Sequence, residues 1–301
     1  MSGVTTPRHG AERAAPDWRD VDWRAHQRWL RIRGRAVNAI DIGDGPPVVL
    51  VHGLGGNWQN WLEVIPALAA NGLRAIAFDL PGFGYSEMPA EPISIPGYGE
   101  TVDEVLGALG VEGPAAIVGS SMGGFIAAEV AISIPQRAER LVLVSAAALW
   151  NERLRARALV AASRISRVYS PVLARRWQHI ARLPRLRWDA LRTAGIRDPR
   201  AIPPDLAYEL LSGVGKPGFV DALHALYAYR IRDRLPEIAC PTLVVWGAQD
   251  PIVPLGHAFE YRELIPDSRV VVFARAGHAP MLEEPERFNA ALLEFLREDD
   301  R

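Results

Sequence analysis

The chain has one cysteine, Cys240, and one lysine, Lys216, among its 301 residues. A lone cysteine excludes a disulfide framework, and without a CxxC or CxxH cluster no structural zinc site is expected. No run of eighteen apolar residues is present to span a bilayer. The opening MSGVTTPRHGAERAAPDWRD also lacks the apolar stretch of a secretory signal, so a cytoplasmic location is the expectation. An excess of charge of one sign is missing too: 34 basic against 35 acidic residues leave −1, with no overall pull toward nucleic acid. That the basic residues are arginine apart from Lys216 reads as the codon bias of a GC-rich genome. What is present is a globular composition, 49% hydrophobic and 23% charged, long enough for one decorated domain or two.

Residues 1–27 are polar and rich in Pro and Arg, and are expected to be a flexible N-terminal segment. A competing reading makes Trp18, Trp23 and Trp29, with their neighbouring arginines, a membrane-surface helix, but the tryptophans keep no helical spacing. Residues 28–42 read as two alternating strands about the turn Arg33, Gly34, Arg35. From Val48 onward, short continuous apolar runs alternate with helical stretches: VVLVHG (48–53), AIAFDL (75–80), AAIVGS (115–120), LVLVSA (141–146), TLVVWG (242–247) and VVVFAR (270–275). Such runs are the pattern of buried parallel strands in a doubly wound α/β sheet, where ligands bind beyond the carboxyl ends.

After AAIVGS comes GSSMGG (119–124) and then the apolar FIAAEVAI, placing G-x-S-x-G between a strand and a helix. A serine there sits on a sharp, strained turn with its Oγ above the sheet. The register selects Ser121, because choosing Ser120 would put Val118 and Met122 at the glycine positions. A serine hydroxyl needs a base, itself oriented by a carboxylate. TLVVWG is followed by Asp250 and VVVFAR by His278, which supplies the chain order Ser, Asp, His at strand ends. Two backbone N–H groups should hold a developing oxyanion: Met122, after the nucleophile, and Leu54, in the loop HGLGG (52–56). His52 and Gly53 are expected to support that loop, His52 through hydrogen bonds of its side chain rather than as the base, since it precedes the nucleophile.

These segments, together with DLPGFGYS (79–86), WGAQDPIVP (246–254) and GHAPMLEEPERFN (277–289), resemble the α/β-hydrolase superfamily, in its branch of serine esterases, C–C bond hydrolases and perhydrolases. The resemblance implies an eight-stranded, mostly parallel sheet, a triad of Ser121, Asp250 and His278, and no cofactor or metal. Relatives with epoxide or haloalkane chemistry carry aspartate at the elbow, which Ser121 argues against. The core is then 28–150 and 236–301. Residues 151–235, too long for one crossover, resemble the helical cap, or lid, of the family.

Within 151–235, sixteen arginines and Lys216 face seven acidic residues, a net +10 that leaves −11 for the rest. A solvated cap surface, attraction for an anionic substrate or acyl carrier, and contact with an anionic membrane surface compete to explain it. Trp58 and Trp150 are candidates for the acyl pocket, and Val253 often lies near the site in relatives. The expected activity is hydrolysis of a small-molecule carboxylic ester through an acyl-enzyme. Alternatives are thioester hydrolysis, perhydrolysis, C–C cleavage of ring-fission products, or a receptor-like ligand binder. Enzymes of C–C cleavage usually show Trp after the catalytic His, where this chain has Ala279.

Overall fold

The computed structural model describes residues 15–147, 149, 183–213 and 215–298. Eight strands form one sheet: β1 (Gln27–Ile32), β2 (Arg35–Ile42), β3 (Pro47–Val51), β4 (Arg74–Phe78), β5 (Ala115–Ser120), β6 (Ala138–Val144), β7 (Thr242–Gly247) and β8 (Ser268–Phe273). Their order is β1-β2-β4-β3-β5-β6-β7-β8, with β1 and β2 antiparallel and all pairings from β4 to β8 parallel. The hairpin turns on Arg33 and Gly34, both at positive φ (48° and 76°), the handedness that suits a two-residue connection. Every residue of β5 and β7 is buried, which explains their unbroken apolar runs: helices cover both faces.

Alternate residues of the central strands divide between two core layers. Val49, Val51, Ile117, Leu143 and Val244 pack toward helices Ile95–Ala108 and Met122–Ser133. Val48, Leu50, Val118, Val142 and Val245 pack with Leu68 and with Leu292 of helix Pro285–Leu296. Helix Met122–Ser133 is buried along its whole length apart from Ser133, as a helix apolar on all sides must be.

The chain first steps from β3 to β4 and then crosses back to β5 on the other side of β3, so strand order reverses between β3 and β5. That reversal opens a crevice at their carboxyl ends, where the 52–56 loop and Ser121 lie. The chain between β6 and β7 forms an insertion whose described part holds helices Pro184–Thr193, Pro204–Ser212 and Phe219–Ala228. Residues 151–182 and 214 of the segment expected as a cap lie outside the described residues.

The N-terminal expectation needs correction over 15–27. Trp18 is buried and donates its indole N–H to Glu63 (3.0 Å), Trp23 donates to the Trp18 carbonyl (2.9 Å), and the Trp23 ring lies 5.1 Å from that of Trp58. Two aromatic anchors outweigh the polar composition that suggested a loose segment. Trp29 sits on β1, so the three tryptophans form no surface helix.

Candidate active site

Ser121 occupies the turn between β5 and helix Met122–Ser133 with φ 55° and ψ −117°. A non-glycine residue there costs about 1–3 kcal/mol and persists only where its surroundings over-determine it. Here the Ser121 N–H donates to the Val144 carbonyl (2.9 Å), while its own carbonyl accepts from Gly124 and Ala147 N–H groups (3.0 Å each). The flanking glycines admit the tight passage: a Cβ on Gly119 would lie 2.1 Å from the Gly123 carbonyl oxygen, and one on Gly123 would lie 2.2 Å from that of Val51.

Two loops at the ends of β7 and β8 bring Asp250 and His278 together. His278 Nδ1 lies 2.7 Å from Asp250 Oδ2, and Asp250 Oδ1 accepts from the N–H groups of Ile252 (2.8 Å) and Val253 (2.9 Å). The Asp250 side chain has no solvent exposure. A buried carboxylate so held fixes the imidazole tautomer with its proton on Nδ1, leaving Nε2 as the basic nitrogen.

His52 is fully buried. Its Nε2 accepts from the Leu80 N–H (3.0 Å), which leaves Nδ1 to donate to the Gly53 carbonyl (2.8 Å). Burial drives its pKa down, so a neutral ring braces the 52–56 loop from both nitrogens. Asp79, buried beneath the same loop, accepts from the N–H groups of Trp58 (2.9 Å) and Tyr85 (2.8 Å) and from the Asn38 amide (2.9 Å).

Ser121 and His278 open into one cavity of about 440 Å³. Gly53, Leu54, Val253 and Ala147 line it from the sheet side, and Leu191, Ile196, Leu211, Phe219, Leu226 and Tyr227 from the insertion. None of the described residues lining it carries a full charge apart from what His278 acquires on protonation. Of the residues the sequence suggested for the pocket, Val253 lines it and Trp150 lies outside the described residues. Trp58 corrects the expectation: it packs in the core against Trp23, and what it offers the site is its backbone N–H to Asp79. Met122 begins the helix behind the nucleophile.

One contributor had no sequence signal of its own. The Glu283 carboxylate accepts from the N–H groups of Gly277 (2.9 Å) and Ala279 (3.3 Å), on either side of His278, and from Arg197 of the insertion (2.7 Å). The His278 N–H itself donates to the Gly195 carbonyl (2.9 Å). Burial pushes the Glu283 carboxyl above the usual carboxylate range, against the pull of these N–H groups. The loop bearing His278 is thus fastened to the insertion at two points.

Comparisons with known proteins agree with this geometry. A family model described as the alpha/beta hydrolase fold matches residues 46–285. The chain is 33% identical over 273 residues to the dihydrolipoyllysine-residue acetyltransferase component of the acetoin cleaving system of Pseudomonas putida, covering 88% of this chain and 68% of that protein. It is 29% identical to the 2-hydroxy-6-oxononadienedioate/2-hydroxy-6-oxononatrienedioate hydrolase of Comamonas testosteroni, covering 86% and 91%. Among solved structures, an esterase from Exiguobacterium antarcticum superposes with a TM-score of 0.71 at 25% identity, covering 90% of this chain and 99% of that one. With its reversed strand order, its strained serine elbow and these relatives, the chain belongs to the alpha/beta hydrolase fold family and has the makings of a hydrolase.

Proposed function

We propose that the protein is a carboxylesterase in which Ser121, His278 and Asp250 act as a catalytic triad on uncharged esters with an apolar acyl group. The observation that carries this reading is the cavity holding Ser121 and His278: it is leucine-rich, and no described residue lining it bears a fixed charge. His278 Nε2 takes the Ser121 proton as Oγ attacks the ester carbonyl, and Asp250 stabilises the imidazolium. The N–H groups of Leu54 and Met122 hold the oxyanion, the latter aided by the helix dipole. His278 returns the proton to the departing alcohol and then activates water to release the acid. The helices of the insertion serve as a cap that excludes bulk water.

C–C bond hydrolysis is the reading suggested by the Comamonas testosteroni relative. The dioate named for that relative carries carboxylates, and no described residue lining the cavity offers a fixed positive charge to pair with one, an unpaired buried carboxylate costing several kcal/mol. Ala279, where such enzymes usually show Trp, points the same way.

The test is hydrolysis of p-nitrophenyl esters from acetate to palmitate. Short and medium chains should be preferred, since a cavity of about 440 Å³ lies toward the small end of ligand sites. Ser121→Ala should lower kcat by about 10⁴-fold or more, and a fluorophosphonate should label Ser121 in the parent. Undiminished turnover by Ser121→Ala, or labelling elsewhere, would sink the proposal.

A further inference from the structure

Helix Pro184–Thr193 faces two cavities. Ala190 and Leu191 border the one that holds Ser121, while Trp188 and Arg192 border a second, of about 480 Å³, closed by the 197–200 turn and by Gln249 and Arg275 from the strand-end loops. This second cleft gathers Arg192, Arg197, Arg200 and Arg275 around a single carboxylate, Asp198. Asp198 is taken by Arg200 at 2.8 Å. Arg192 donates to the Arg197 carbonyl (2.9 Å) and lies 5.3 Å over the Trp188 ring, and Arg197 Nε donates to the Gln249 side-chain oxygen. Among the described residues the guanidinium groups of Arg192, Arg197 and Arg275 form no ion pair with a carboxylate, although Asp198 also feels the charge of Arg197. Neutral partners orient two of these guanidinium groups without neutralising them.

We propose that this cleft is a binding site for a phosphate-bearing small molecule, a phosphomonoester or diphosphate. Four guanidinium groups around one carboxylate leave an excess of positive charge, while a phosphate group offers several oxygens to forked donors and up to two negative charges. The cleft is also wider than a bare phosphate requires, leaving room against Trp188 for the organic part of the ligand. The site is separate from the proposed ester pocket, with which it shares no lining residue. Its arginines come from two parts of the chain, Arg192, Arg197 and Arg200 from the insertion and Arg275 from the loop after β8. A ligand that spans them fastens the insertion to the sheet outside the Ser121 cavity.

The test is isothermal titration with pyrophosphate, alongside flotation with phosphatidylcholine vesicles that contain or lack phosphatidic acid. The parent should bind pyrophosphate saturably at one site, and the double variant Arg192→Ala/Arg275→Ala should bind it at least about tenfold more weakly, since two charge-assisted contacts are gone. The variant should keep the parent's unfolding midpoint and its p-nitrophenyl butyrate turnover, which separates loss of the site from loss of the fold. Vesicle binding that depends on phosphatidic acid, competes with pyrophosphate and is lost in the variant would identify the phosphate as a lipid headgroup. The proposal is overturned if neither probe binds saturably, or if the double variant binds as tightly as the parent.

Discussion

The two cavities on either side of helix Pro184–Thr193 are close neighbours with opposite chemistry. One is apolar and holds Ser121; the other is walled by four arginines. The comparison changes the meaning of the described share of the net +10 on residues 151–235, that carried by residues 183–235. Counted along the sequence, that charge stands over the nucleophile and suggests an anionic substrate. Placed in space, none of the described basic residues of the segment lines the cavity of Ser121. Net charge is a property of a segment, whereas selectivity belongs to one face of a helix.

Among changes that probe this contrast, the largest effect is expected from placing a charge in the apolar cavity. Leu226→Arg places a guanidinium at a half-buried position of the apolar cavity and should lower kcat/KM for p-nitrophenyl butyrate by about tenfold or more, because its desolvation opposes a neutral ester. The same variant should shift preference toward monoesters that carry a free carboxylate. An unchanged ratio between the two substrates would break the contrast drawn between the cavities.

A smaller effect is expected at the seam. Glu283→Gln keeps an oxygen for the Gly277 N–H but turns an amide N–H₂ toward the Arg197 N–H, so the fastening to the insertion should weaken by about 1 kcal/mol. Its signature is in the pH dependence. A carboxyl whose pKa is raised on folding contributes stability in full below its ordinary value of 4.5 and loses it as pH rises through the native value. Urea unfolding across that window should therefore show a decline in the parent that is missing in Glu283→Gln. Equal slopes would remove the burial argument for Glu283.

The smallest effect belongs to Arg200→Ala. Arg200 and Asp198 are paired at the exposed rim of the basic cleft, where water screens the interaction, so the unfolding midpoint should not move. A clear drop would mean that the rim is built more rigidly than a surface pair.

Much of the sheet was legible in advance. The runs at 115–120 and 242–247 coincide with β5 and β7, which are buried throughout and continuously apolar, and the other four are displaced from their strands by one to three residues at each end. The turn at Arg33–Gly34 and the elbow at Ser121 were readable because each needs residue types that a backbone conformation imposes. The order of Trp18 and Trp23 was hidden, since it depends on Glu63 and Trp58, far along the chain. The inward turn of Trp58 and the bond from Arg197 to Glu283, 86 residues apart, were hidden for the same reason: they are long-range packing choices with no local pattern.

The hydrogen bond from the His278 N–H to the Gly195 carbonyl has a consequence for timing. If substrate enters by lifting residues 195–197, the same movement unfastens the backbone of the proposed base and takes the Arg197 N–H from Glu283. Admission and chemistry then exclude each other: the pocket is open to water only while its base is slack, and the base is taut only once the door has shut.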